Sequence, residues 1–254
     1  MDFTVTQYQK LLQSLIQQDY QFQTFEDFLR NPQERAIILR HDVDLYPQNS
    51  LVFAKMQAEY QVKGVYYFRA VSESWDNTII KEIAALGHEV GYHYENLTTC
   101  KGDIEAGIND FKYNLEELRK LVPVSTICMH GSPMSKFNSK DLWNQYHYKD
   151  LGIVGEPYFD VNFDEVFYLT DTGRKWDGVN VSVRDKVKSS YTQTFHSTDD
   201  IIKAAYNGEL PNKIMFTFHP QRWSNQPVFW LRELLFQSLK NLIKKYFFVE
   251  NEHL

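Results

Sequence analysis

The feature that most constrains this chain is an alternation, beginning at residue 36, between short apolar runs and longer stretches with helical spacing. Strand-like runs fall at 36–44, 64–71, 89–94, 125–130, 151–157, 165–170 and 213–219. Helical stretches fall at 47–60, 77–86, 104–121, 140–146, 198–206 and 228–246. In 104–121, Ile104, Ile108, Phe111, Leu115 and Leu118 recur on one helical face. Strands alternating with helices predict βα units and a mostly parallel sheet. About seven such units in about 220 residues fit a single-domain α/β fold, a closed or nearly closed (β/α) barrel. An open doubly wound sheet would want a Gly-rich phosphate loop after an early strand, and no such loop occurs. Residues 1–35 are helical and polar, end at Asn31-Pro32, and read as an N-terminal cap on a barrel spanning 36–254. The least regular part, 171–197, contains Thr-Gly-Arg-Lys-Trp-Asp-Gly at 172–178 and reads as a long loop over one barrel end.

Composition narrows the function. A net charge of −6 without a lysine-arginine block argues against nucleic acid as a partner. Cys100 and Cys128 have neither metal-ligand pairing nor a disulfide framework around them. The N-terminus lacks a basic region followed by an apolar one, and no apolar run approaches the roughly 20 residues of a membrane span. A cytoplasmic protein without a transmembrane segment is the expectation. The aromatic content of 15% suits a sugar-binding cleft and a well-packed core equally.

Titratable residues gather at the C-terminal ends of the expected strands. Asp42 and Asp44 end the first, His93 and Glu95 the third, His130 the fourth and His219 the last. Residues two apart on a strand share a face, and two buried carboxylates side by side need a cation or a shared proton. Each residue also has a plainer reading: an Asp helix cap, a core histidine, a turn residue before Gly131-Ser132-Pro133, a strand-end histidine before Pro220. Those readings weaken together, because parallel barrel strands bring all these ends to one face. His88 begins its strand and reads as structural, as do His147, His196 and His253 in helix or loop contexts. A divalent metal takes histidine nitrogen and carboxylate oxygen. Asp44 and His93 suit ligands, Asp42 a base and His219 an acid, for metal-assisted hydrolysis of an amide or ester.

The motifs resemble those of the polysaccharide deacetylase superfamily, metal-dependent N- and O-deacetylases with a distorted (β/α) barrel. His41-Asp42-Val43-Asp44 resembles the first motif, which implies Asp42 as base and Asp44 as metal ligand. Gly87-His88-Glu89-Val90-Gly91-Tyr92-His93 matches the second closely and carries His93 over as ligand. His130-Gly131-Ser132-Pro133 is similar to the third, Asp171 to Trp176 to the fourth, and His219 to the last histidine. The resemblance covers 36–222 with the motifs in order, and implies zinc, or else cobalt, manganese or nickel. One departure stands out: the second histidine of motif two falls on Leu97. Glu95 or His130 then supplies the third ligand, with His41 ranked below them because strand alternation turns it away, or the metal is held weakly.

The resulting expectation is a metal-dependent hydrolase that removes an acetyl or similar acyl group from a sugar or glycoconjugate. Tyr94, Asp171, Arg174, Trp176 and Trp223 are the expected cleft residues. The alternative is a barrel that has lost catalysis and binds carbohydrate. A last feature is the terminal stripe of Leu231, Leu234, Leu235, Leu239, Leu242, Ile243 and Tyr246, with Lys240, Lys244 and Lys245 nearby. Packing of that stripe against the barrel is expected over a membrane-surface helix.

Overall fold

The computed structural model describes residues 1–132, 135–176 and 187–244. Pro133, Asp177, Gly178, Lys245, Tyr246 and His253 of the sequence reading lie outside the described residues. The chain runs α1 (Val5–Ile16), β1 (Gln21–Gln23), α2 (Phe25–Arg30), β2 (Ala36–Val43), α3 (Pro47–Glu59), β3 (Val65–Phe68), α4 (Asn77–Ala85) and β4 (Glu89–Tyr94). It continues with α5 (Asn96–Thr99), α6 (Ile104–Arg119), β5 (Ile127–Met129), α7 (Pro157–Asp160), β6 (Phe167–Thr170), α8 (Thr198–Tyr206), β7 (Lys213–Phe218) and α9 (Pro227–Lys244). Oxygen-bearing caps start four of the longer helices: Thr4 for α1, Asp76 for α4, Asp103 for α6, and a Ser197–Asp200 capping box for α8.

All strand pairings are parallel, in the order β5-β4-β3-β2-β7-β6. β2 is the hub. β7 runs along one edge of it, while β1 pairs with its first half and β3 with its second. The sheet curls into a half-barrel, the distorted (β/α) barrel form, open between β5 and β6. The sequence predicts a further strand at 151–157; among the described residues of that stretch only Gly155 bridges to the sheet, at Thr126. The ladder stops there for two reasons. Gly152 turns left-handed (φ +71°), and the Glu156 carboxylate, not a backbone carbonyl, accepts the Met129 N–H at 3.0 Å.

The N-terminal segment is more than a helical cap, since β1 belongs to the sheet. Phe25 and Phe28 of α2 join Ala36, Ile38, Val65 and Met215 in an interior apolar cluster that plugs the barrel at the strand starts. Tyr8, Leu11, Leu12 and Leu15 of α1 are buried in the outer core, where α1 packs on α8.

β2 is buried on both faces, as a central parallel strand should be. Ile37, Leu39 and Val43 enter the outer core under the helices, whereas Ala36 and Ile38 face the interior. Arg40, Asp42 and Asp44 continue that interior parity toward the C-terminal end. On β4, Gly91 is required: a Cβ there would stand 2.3 Å from the Tyr67 ring.

The terminal helix departs from expectation. Leu231, Leu235, Leu239 and Leu242 of α9 are exposed, not packed on the barrel. Among the described residues no helix is long and apolar enough to cross a membrane.

Candidate active site

The strand ends converge as their sequence positions demanded. Asp42, Asp44, His93, His130 and His219 line one cavity of about 780 Å³ at the C-terminal face of the sheet. Asp44 is the centre of the group. Its Oδ1 is buried and has no hydrogen-bond partner among the described residues. Facing that oxygen are Nε2 of His93 at 3.6 Å and Nε2 of His130 at 3.5 Å. The other oxygen, Oδ2, accepts from Gln221 Nε2 at 3.2 Å and lies 3.8 Å from His219 Nε2.

Both histidines near Oδ1 have their tautomer set from behind. His93 donates through Nδ1 to the Cys128 carbonyl at 2.9 Å. His130 donates through Nδ1 to Glu95 Oε2 at 3.0 Å, and Ser132 Oγ donates to the same oxygen at 2.9 Å. Arg69 holds the other Glu95 oxygen at 2.5 Å. A neutral ring held in this way directs its Nε2 lone pair at the carboxylate. Burial, followed by the neighbouring His130, pushes the His93 imidazolium well below its ordinary range, so that ring is neutral.

Separations of 3.5–3.6 Å are too long for hydrogen bonds. They suit ligands of one ion instead, since donors about 2.1 Å from a shared tetrahedral centre stand roughly 3.4 Å apart. An orphaned carboxylate oxygen facing two imidazole lone pairs is a donor set that fits zinc or a similar divalent cation. Asp42, His93 and Cys128 form a second group of close ligand atoms. It suits a cation less well, because Arg40 already binds both Asp42 oxygens, at 2.8 and 2.6 Å, and places a positive charge there.

Arg40 is the residue that the sequence reading missed. It is fully buried, and its guanidinium orients Asp42 in two-pronged fashion. The signal was present in strand parity, which puts Arg40 and Asp42 on one face.

His219 is fixed by Asp171. Asp171 Oδ1 accepts from His219 Nδ1 at 2.6 Å, and Oδ2 accepts from the His219 backbone N–H at 2.9 Å and from Trp223 Nε1 at 2.6 Å. Burial and Arg222 oppose the imidazolium, but Asp171 outweighs them and raises His219 above its ordinary value. Burial likewise opposes ionisation of Asp171, yet His219 and Arg222 draw it down to about 2.

Several expected site residues stand elsewhere. Asp171 and Trp223 lie behind His219, not on the cavity wall. Tyr94 is fully buried, accepts from Trp143 Nε1, and packs edge-on to Phe111 in the outer core. Trp176 is buried and donates to Thr198. Arg174 sits over the rings of Phe3 and Trp230. Among the described residues, the benzyl rings on the wall are Phe137 and Phe236, from a loop and from α9, which no local pattern marked. Glu95 supports His130 from behind and does not face Asp44 Oδ1. His41 is on the opposite face of β2, where it donates to the Val65 carbonyl and stacks on Tyr66; burial takes its imidazolium down to about 3. Leu97, at the missing histidine position, is buried in the outer core. His88 accepts from the Gly64 N–H and donates to the Ala54 carbonyl, fastening two elements.

No family model and no curated protein matches this sequence. Among solved structures, the chain is similar to the Xyl-CE4 domain of a multidomain xylanase from the hindgut metagenome of Trinervitermes trinervoides. There the identity is 13% and the TM-score 0.43, over 83% of this chain and 85% of that one. It is similar to a CE4 family pseudoenzyme from Bacillus anthracis at 11% identity and TM-score 0.42, over 83% of this chain and 63% of that one. A third is PdaA of Bacillus subtilis, a family 4 carbohydrate esterase, at 17% identity and TM-score 0.39, over 90% of this chain and 83% of that one.

Proposed function

We propose that this chain is a divalent-metal-dependent hydrolase that removes an acetyl or similar acyl group from a sugar or glycoconjugate. The observation that carries the reading is the orphaned Asp44 Oδ1 faced by two Nε2 lone pairs. Asp44, His93 and His130 are the residues to hold the cation, zinc first by donor type. Such a cation supplies Lewis-acid polarisation of an acyl carbonyl and lowers the pKa of water to near neutrality.

The remaining steps belong to this chain's own residues. Arg40 uses one lone pair on each Asp42 oxygen, which leaves acceptor capacity on the carboxylate to take a proton from attacking water. His219 lies on the Oδ2 side of Asp44, and its Nδ1–H is held by Asp171. It therefore presents Nε2–H as the proton source for the departing amine or alcohol. Water adds across the acyl bond, giving a carboxylic acid and the free amino or hydroxyl group. Glu95 and the Cys128 carbonyl keep the His130 and His93 rings aimed.

Metal analysis of purified protein, grown with zinc, cobalt, manganese or nickel, tests this reading. The expected result is about one metal ion per chain and acetate release from acetylated sugars, with both lost in Asp44→Ala. Metal-free protein under every supplement would refute it. Leu97 supports a second reading, a glycan-binding barrel without catalysis. Glycan binding that survives Asp42→Asn, with no acid released from any acylated sugar, would favour that alternative.

A further inference from the structure

α9 turns a mixed side inward: Gln237 is buried, Asn241 donates to the Gly173 carbonyl, the Trp230 indole donates to the Asp2 carbonyl, and Phe229 and Leu234 are half-buried. Its outward side carries Leu231, Leu235, Leu239 and Leu242 at 52, 63, 57 and 53% exposure, with Val228 at 82% ahead of them. The spacing of three and four residues makes one continuous apolar stripe. Among the described residues nothing buries this stripe, and a contiguous exposed apolar face of this kind marks an interaction surface.

Charge selects what covers it. α9 holds three cations, Arg232, Lys240 and Lys244, against the single anion Glu233, in a chain of net charge −6. Glu233 and Lys240 both line the cavity, Lys240 at its exposed rim, and Arg232 is exposed beside the leucines. A second copy fits poorly. Antiparallel pairing about Phe236 sets Arg232 opposite Lys240 twice, and parallel pairing sets each cation against its own twin. Leucines flanked by cations match a bilayer with anionic headgroups, where the leucines enter the acyl boundary and the basic side chains stay among the phosphates.

We propose that the exposed face of α9 docks on an anionic lipid surface. Phe236 and Lys240 belong both to α9 and to the cavity wall, with Lys240 Nζ 4.2 Å from the Phe236 ring centroid. Docking therefore brings the mouth of the cavity to the headgroup layer. The proposal goes beyond the hydrolase reading and stands without it.

Co-sedimentation of the full chain with phosphatidylglycerol vesicles tests the docking, with phosphatidylcholine vesicles as the comparison. The expected result is binding to the anionic vesicles, weakened by salt and by about tenfold or more in Leu235→Glu/Leu239→Glu. Both leucines are mostly exposed, and an unchanged far-UV circular dichroism spectrum confirms that the variant is folded. Leu235→Ala/Leu239→Ala serves as the milder second variant and should bind more weakly than wild type. Failure to bind phosphatidylglycerol vesicles, or equal binding by the variants, overturns the proposal. So does a dimer in light scattering that the same substitutions abolish, since a second copy would then cover the stripe.

Discussion

The Asp42–Arg40 pair is a buried contact on which the site depends, the carboxylate at the cavity wall and the guanidinium behind it. Removing the guanidinium leaves a buried carboxylate without its cation, so Arg40→Met should cost about 3–5 kcal/mol in urea denaturation. Glu95 acts one layer further out. Glu95→Gln should keep the fold and weaken zinc affinity about 10–100-fold in a competition titration, because the amide orients the His130 ring less firmly. Glu156 offers a pH test. Burial lifts its carboxyl to about 7, against the Met129 and Tyr158 backbone N–H groups and Arg40. A folded value above the unfolded one gives stability that is present below about 4.5 and lost as pH rises through about 7. Wild type minus Glu156→Gln stability should therefore shift in favour of the variant between pH 5 and pH 8. Using the difference cancels the opposing contribution of the buried neutral histidines. At this scale the sequence exposed the charged and titratable strand-end residues, since polarity at the end of an apolar run is visible without coordinates. It did not expose Arg40 as a partner, because pairing depends on which face each residue takes.

At the scale of elements, hydrophobic period was a sound guide wherever an element buries one continuous face. β4 and α8 have the expected bounds, and α4 and α6 differ only at their last turns. It failed at 151–157, where an apolar run is interrupted by Gly152 and ends against the carboxylate of Glu156. α5 shows how tertiary placement overrides a motif. Asn96–Thr99 turns Leu97 into the core beside Leu142 and against Gly107, where a Cβ would meet Leu97 Cδ2 at 2.9 Å. Leu97→His, which puts a histidine where the resembled second motif has one, should cost about 2–4 kcal/mol and leave metal affinity unhelped, because it buries an imidazole without a partner. Thermal unfolding and zinc titration of that variant check the two parts separately. α9 was misread for a related reason: an apolar stripe shows that a helix has a sticky face, not which way the face is turned.

At the scale of the whole molecule, the N-terminal 35 residues are part of the fold's support. They supply β1, the α2 plug and the α1 face of the outer core. A chain of 36–254 should therefore lack a cooperative thermal transition, since removing Tyr8, Leu11, Leu12, Leu15, Phe25 and Phe28 strips apolar contacts from both cores. The sequence by itself determined the parallel α/β architecture, the strand ends that carry Asp42, Asp44, His93, His130 and His219, and the departure at Leu97. These follow from local period and polarity, which are properties of neighbouring residues. The tertiary structure alone decided that His130 and not Glu95 faces Asp44, that Asp171 and Trp223 stand behind His219, and that α9 shows its leucines to the outside. Those outcomes depend on distances between residues far apart in the chain, set only when the sheet curls and its strand ends meet.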